Sequence, residues 1–357
     1  MTTQGSTATT KRKRILQGLV STAIVVGIFV GVMPRIASYG DVWDTITAMT
    51  AFELGGLFLF GAWNLATYWF VLTAVLPGLR IGQAAVSNQA STAVSNSMPG
   101  GGLLGVGVTY AMYRSWGFTK ADFARATVVS GIWNNYVKLG MPIVALALLA
   151  LSGEANAAEI VSAAIGLGAL AAAVVVFWLM VRSEGMARKV GERFGRFVSK
   201  LRGLVRKPPV NDWGSSAVDF FRRTGELLKE RWLRISVAAL LSHISLYAVL
   251  LVALRNVGVS EDEVGWVQAL AAFAFVRLIS ALPITPGGLG VVELGLTAAL
   301  SIGVDEVLDA QIVAAVLLFR FITFFLPIPF GTASYVFWRR NTSWRQEAPD
   351  EPTDAVA

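Results

Sequence analysis

The chain has no cysteine among its 357 residues. That excludes disulfides, thiolate metal sites and cysteine nucleophiles. It has a single histidine, His243, so a histidine-based metal cluster has no ligands to draw on. No metal and no other cofactor is expected. Charge is scarce as well. Asp, Glu, Lys and Arg make up 15% of the sequence, where a soluble globular chain carries about a quarter. Gly100-Gly101-Gly102 is not followed by Gly-Lys-Ser/Thr, so the phosphate loop of an ATPase is missing. No acid–base constellation for hydrolysis or glycosyl transfer stands out, and the chain is not expected to be an enzyme.

What is present is apolar. Hydrophobic residues make up 55%, and the mean hydropathy is +0.60. Apolar runs recur at 15–33, 53–76, 126–151, 159–181, 232–254 and 308–337, each near the ~20 residues that cross a bilayer core. An all-α polytopic membrane protein is expected, with about six full transmembrane helices. A membrane β-barrel would show short alternating segments instead. The first run follows Lys11-Arg12-Lys13-Arg14. It is long for a signal-peptide core and lacks a small-residue cleavage site, so a retained helix is expected.

A net charge of +7 is often a mark of nucleic-acid binding. Its distribution here points to a membrane, and no nucleic-acid partner is expected. The stretch from Arg182 to Arg231 holds thirteen Lys/Arg against six Asp/Glu. The loops at 34–52, 152–159, 255–264 and 303–309 are acidic, with Arg35 and Arg255 as their bases. This is the positive-inside asymmetry. It places residues 1–14 and the tail 338–357 in the cytoplasm of a multi-pass plasma-membrane protein. Within the basic helix 182–206, Met186, Val190, Phe194, Phe197, Leu201 and Leu204 recur at helical spacing. That pattern predicts an amphipathic helix on the anionic membrane surface. A regulatory partner is the other reading.

Two segments are broken. Segment 82–113 opens polar, with Ser87, Asn88, Gln89, Ser91, Thr92, Ser95, Asn96 and Ser97, then breaks at Pro99-Gly100-Gly101-Gly102. Segment 265–302 breaks within Pro283-Ile284-Thr285-Pro286-Gly287-Gly288-Leu289-Gly290-Val291-Val292-Glu293. Pro142 follows Pro99 by 43 residues, and Pro327 follows Pro286 by 41. Loop charges send the two segments in from opposite sides. Matched spacing with opposed polarity predicts an inverted repeat, about 53–181 and about 232–337, each with a re-entrant helical hairpin. Non-helical backbone at membrane depth survives only when protein or a polar cavity satisfies it.

Four charges fall inside these segments, away from their ends: Lys138, Arg277, Glu293 and Arg320. An intramembrane charge is a candidate functional residue. Glu293 follows the break by a few residues, where a carboxylate suits the positive end of a helix. It is expected to pair with Arg320 or Arg277, either as an anchor alone or as a pair that also contacts substrate. The arginines could grip a phosphate with their planar fork, beside backbone N–H groups of helices restarting after Pro99 and Pro286. Lys138 lies near Trp133, Asn134, Asn135 and Tyr136 and either lines the same cavity or snorkels. The run Ser87–Ser97 either lines a head-group groove or bonds neighbouring helices. His243 is read as a packing residue, with proton coupling as the alternative.

The stretch Ala281–Glu293, followed by Leu317-Leu318-Phe319-Arg320 and Pro327, resembles the transmembrane region of lysylphosphatidylglycerol synthases. That region also occurs alone in a wider flippase-like membrane family. The resemblance covers roughly 15–337. In the first half, Asn135 holds the place of Arg320, seven residues before its proline. The synthases add a soluble aminoacyl-transferase domain, which this sequence does not contain, so aminoacylation is not expected. The resemblance implies movement of a phospholipid or lipid-linked head group between leaflets. The candidate site is Pro99, Gly100, Gly101, Asn135, Lys138, Arg277, Pro286, Gly287, Gly288, Gly290, Glu293 and Arg320. Two other functions stay open: a membrane subunit of a lipid- or glycan-modifying enzyme, and an ion-coupled small-solute transporter. The protein partners in view are a second copy of the chain or a separate synthase or glycosyltransferase.

Overall fold

The computed structural model describes residues 26–35, 38–97, 101–151, 157–204, 212–280, 285–302 and 304–346. The described residues form twelve α-helices and no strand. In chain order they are α1 (Tyr39–Thr47), α2 (Ala51–Val75), α3 (Ile81–Ser97), α4 (Gly101–Ser115), α5 (Lys120–Leu151), α6 (Ala157–Arg182), α7 (Glu184–Leu204), α8 (Trp213–Asn256), α9 (Trp266–Ile279), α10 (Val291–Leu300), α11 (Glu306–Arg320) and α12 (Pro327–Arg340).

Five helices among the described residues are long and apolar enough to cross a bilayer: α2, α5, the Ala164–Arg182 part of α6, α8, and the continuous run Glu306–Arg340. Most of the apolar run 15–33 lies outside the described residues. The membrane assignment has a physical basis in α6. None of its Ala164–Arg182 stretch is buried, although this is the most hydropathic of the five. A helix apolar all round and uncovered by protein needs an apolar solvent.

Local signals set several helix ends. Thr50 caps α2, and Glu53 reaches back to the Thr50 backbone N–H at 2.7 Å, a capping box that satisfies otherwise orphaned donors. Asp305 caps α11 through the Leu308 N–H at 2.9 Å. The basic stretch 182–231 is mostly helix, both in the segment where the spacing predicts an amphipathic helix and beyond it. The helix begun at Trp213 runs unbroken to Asn256. Lys, Arg and Glu are good helix formers, so a charged stretch need not end a helix. The helix α7 packs on the start of α8 through Ala187, Gly191 and Gly195, which are buried. A Cβ on Gly191 would lie 2.4 Å from the Trp213 carbonyl oxygen, so only glycine permits that approach. Met186, Phe194 and Phe197 remain exposed on α7.

Packing follows a paired pattern. The helices α2 and α8 lie against each other, zipped by Asn64 Nδ2 to Ser245 Oγ at 2.8 Å and a Thr67–Ser245 hydroxyl contact at 3.1 Å. The helices α3 and α4 form one hairpin, and α9 and α10 a second. The helix after the first hairpin, α5, packs on α9, the first arm of the second. The helix that completes the second half, α12, packs on α3, the first arm of the first. Each half therefore clamps the other's hairpin. The chain after α12 returns to the first hairpin: Gln346 N–H bonds the Ser115 carbonyl at 3.0 Å, and Trp338 Nε1 bonds the Ser115 hydroxyl at 2.9 Å.

Candidate functional site

The second break is the better defined. Residues 281–284, including Pro283 and Ile284, lie outside the described residues. The chain then makes a tight turn at Pro286–Gly288 and enters α10 at Val291. Gly287, Gly288 and Gly290 have φ of +57°, +71° and +81°, values that side chains with a Cβ adopt only under strain. Gly287 also has no room. A Cβ there would lie 2.2 Å from the Phe324 ring.

Glu293 sits in the first turn of α10 and is 0% exposed; Arg320, at the end of α11, is 7% exposed. One carboxylate oxygen accepts the Gly290 N–H at 2.7 Å, and the other accepts Arg320 Nε–H at 2.8 Å. Gly290 has no side chain, so this is only the carboxylate half of a capping box. Arg320 Nη2 donates to the Gly287 carbonyl at 3.1 Å, and the guanidinium lies 4.5 Å from the centre of the Phe324 ring. Of the two partners expected for Glu293, the structure selects Arg320. The pair fastens the turn to α11, and two edges of the Arg320 fork are occupied.

The first break, at Pro99 and Gly100, lies outside the described residues, but its flanks are defined. Gly101 and Gly105 press against α3, where added Cβ atoms would lie 2.5 Å from the Val94 carbonyl and 2.7 Å from the Ser91 carbonyl. At the end of α3, Asn96 Nδ2 donates to the Phe324 carbonyl at 3.0 Å. That carbonyl belongs to a π turn, Phe321–Phe325, just before Pro327. Such turns often occur at functional sites. A Cβ on Gly287 would stand 3.3 Å from Asn96 Oδ1. The end of α3 thus meets the turn of the second hairpin.

Beside this junction is a polar cavity of about 420 Å³. The predicted run supplies one wall, through Ser87, Asn88, Ser91, Thr92, Ser95 and Asn96. Of the four intramembrane charges, Arg277 is the one in the wall. Its Nε is buried with no partner among the described residues. Lys138 is half-buried on α5, outside that wall, close enough for its charge and that of Arg277 to repel. Asn135 is exposed and joins neither the ion pair nor the cavity. His243 is in the wall too, and so are Asn64, Asn134, Thr127 and Ser130. Asn134 was in view as a neighbour of Lys138 on one helix face; Asn64, Thr127 and Ser130 were not, although Asn64 is a polar residue inside an apolar run, a usable signal.

Three helices, α5, α8 and α9, carry both this cavity and a second, apolar cleft of about 1420 Å³, α9 with Arg277 at the cavity and Trp266 and Leu270 at the cleft. On α5, Thr127, Ser130 and Asn134 face the cavity, while Val137, Gly140 and Val144 face the cleft. On α8, Ser242 and His243 face the cavity, while Leu240 and Ile244 face the cleft. The cleft wall also includes Arg182, Arg222 and Lys229 with Glu184 and Glu226, residues of the basic stretch. The Arg182 guanidinium stacks 4.6 Å over Trp178.

A family model described as lysylphosphatidylglycerol synthase TM region matches residues 15–331. The chain belongs to that family. No curated protein matches it significantly.

Proposed function

We propose that this membrane protein binds a phospholipid or lipid-linked head group and moves it between leaflets, with no chemistry of its own. One observation carries the proposal: the polar cavity holds a guanidinium donor of Arg277 without a partner among the described residues, and shares three helices with an apolar cleft. An amphiphile needs that combination, a wet pocket for the head and a greasy one for the tails. A small polar solute would need only the first. Arginine suits a phosphate because its planar fork stays charged and donates in parallel.

In this reading the hairpins are re-entrant. The arms α9 and α10 have 14 and 10 residues, or about 21 and 15 Å at 1.5 Å per residue. Each falls short of the ~30 Å hydrocarbon core. The end of α3 and the second turn then meet within the membrane, with the polar cavity beside them, and protein contacts satisfy irregular backbone there that lipid could not. The exposed Met186, Phe194 and Phe197 of α7 would rest on the anionic cytoplasmic surface, among the basic residues of the same helix. Both termini would face the cytoplasm of the plasma membrane.

The test is a leaflet assay in reconstituted vesicles with fluorescent phosphatidylglycerol and dithionite quenching. Arg277→Gln should slow translocation at least tenfold while the protein stays folded. Translocation at the wild-type rate by a folded Arg277→Gln protein would remove Arg277 from the site. If the wild type does not translocate, transport itself falls.

A further inference from the structure

The helix α12 stops at Arg340, and the described chain continues to Gln346. Asn341 leaves the helix with extended backbone, φ −80° and ψ 107°. The Thr342 carbonyl then accepts the Arg345 N–H at 3.0 Å, which closes a turn. Residues 341–346 form a strap across the base of the first hairpin, and the strap touches both arms. On the α4 side, the Gln346 N–H bonds the Ser115 carbonyl at 3.0 Å, and its backbone runs parallel to that of Trp116. The Trp344 ring meets Trp116 edge-on, with centroids 6.1 Å apart. On the α3 side, a Cβ on Gly82 would stand 3.4 Å from the Trp344 ring. Phe337 of α12 meets the same ring at 5.4 Å.

What lies under the strap gives it a role. The polar cavity starts further in, at Leu72 on α2, Ser87 on α3, Thr109 on α4 and Phe123 on α5. Between those residues and the helix ends stand Val75, Leu76, Ala84, Met112, Tyr113 and Trp116, buried in one apolar cluster. Trp338 and Trp344 pack against that cluster. Water coming from this end must part it to reach the cavity. The first hairpin is also fastened to the last helices at two levels. Asn96 holds the Phe324 carbonyl at the inner end of α3, and the strap holds α12 to the base. A short segment held by a ring and a backbone hydrogen bond opens more readily than packed helices do.

We infer that the strap is a latch: its release frees the base of the first hairpin and lets water into the polar cavity from that end. The device belongs to the scaffold and does not depend on what the cavity binds.

The chain has no cysteine, so a single introduced thiol reports without background. Thr109→Cys puts it in the cavity wall, and Leu296→Cys puts it in the other apolar core, where Leu296 is 1% exposed. The reaction of each thiol with a water-soluble maleimide is timed on the full chain in nanodiscs, with and without a strap substitution. Trp344→Ala should speed labelling of Thr109→Cys by about tenfold or more, because two ring contacts are lost, and should leave Leu296→Cys unchanged. Gln346→Pro removes the N–H that bonds Ser115 and touches no helix, so it should act in the same direction. Unchanged labelling of Thr109→Cys with either strap substitution overturns the latch. An equal rise at Leu296→Cys overturns it too, since the strap would then merely stabilise the whole fold. Neither outcome bears on lipid movement, which the leaflet assay reads separately.

Discussion

Replacing Glu293 by Gln should loosen the second hairpin more than any other single isosteric change in the chain. Glu293 and Arg320 are both buried, and their contact is 2.8 Å. The amide oxygen of Gln can still accept from the Gly290 N–H, so the cap is largely kept. What disappears is the only carboxylate bonded to Arg320 among the described residues. Its guanidinium then stays buried with a carbonyl and an aromatic face for company. Breaking a buried pair from one side costs about 3–5 kcal/mol, because the remaining charge is uncompensated. Each 1.4 kcal/mol is a factor of ten, so the folded population ratio should fall by roughly two to nearly four orders of magnitude. Arg320→Met removes the stranded cation, so the double variant Glu293→Gln/Arg320→Met should lose clearly less than the two singles together. Equilibrium unfolding by SDS in mixed micelles, followed by far-UV circular dichroism, measures all four proteins of this cycle. A Glu293→Gln protein within 1 kcal/mol of wild type, or an additive double variant, would refute the argument that this pair holds the turn.

Two further outcomes follow from the same structure. A Cβ on Gly331 would lie 2.0 Å from the Gln89 carbonyl oxygen, a backbone atom of the facing helix, whereas one on Gly107 meets nothing within 4 Å. Gly331→Ala should therefore destabilise by at least the ~1–3 kcal/mol of an overpacked contact, and Gly107→Ala should stabilise by up to ~1 kcal/mol; the same SDS titration checks whether the two have opposite signs. In the loop after α8, the Trp266 backbone N–H donates to Glu261 at 2.8 Å, and Arg255 pairs with the same carboxylate, which holds Glu261 below the ordinary value of 4.5. A depressed carboxylate contributes stability that is complete above its ordinary value and is lost as pH falls through its lowered one. Hydrogen-exchange protection of the Trp266 amide should hold from neutrality down to 4.5 and drop only below it, and a drop already near neutrality would count against this linkage.

Much of this was readable because membrane helices announce themselves. Apolar runs located all five described spans, and Pro286-Gly287-Gly288 with Glu293 marked the tight turn. The Glu293–Arg320 pair was one of two partnerships in view. What hid the other details was geometry. Hydrophobic spacing pointed to the helix within 182–206, but the start of α8 at Trp213, ahead of the apolar run at 232, carried no such mark, because charge does not break a helix. Repeat matching gave Asn135 the place of Arg320, but the first hairpin uses a neutral bond instead. Asn96 reaches the Phe324 carbonyl, a partner 228 residues away that no local pattern displays. Which arginine would be neutralised, 277 or 320, depended on how α9 and α11 lie around α10, and spacing along the chain does not encode that.

The two halves share a packing scheme and differ in how their hairpin tips are satisfied. The second tip uses an ion pair, which is worthwhile in a dry interior only when both charges are fully bonded. Glu293 meets that condition with two donors, and Arg320 with a carboxylate and a carbonyl. The first tip uses neutral contacts, Asn96 to Phe324 and Ser95 to Gly101 at 3.4 Å, each worth at most ~1 kcal/mol or so. Spending the only carboxylate of the four intramembrane charges on Arg320 leaves Arg277 and Lys138 without a counter-charge from that set. Two cations close together in the interior of a membrane protein repel each other more strongly than they would in bulk water. An anion entering that cavity relieves the repulsion, and in a bilayer the anion in greatest supply is a lipid phosphate. The lock on one arginine thus leaves the other available, which is the condition that the proposed lipid-phosphate site requires.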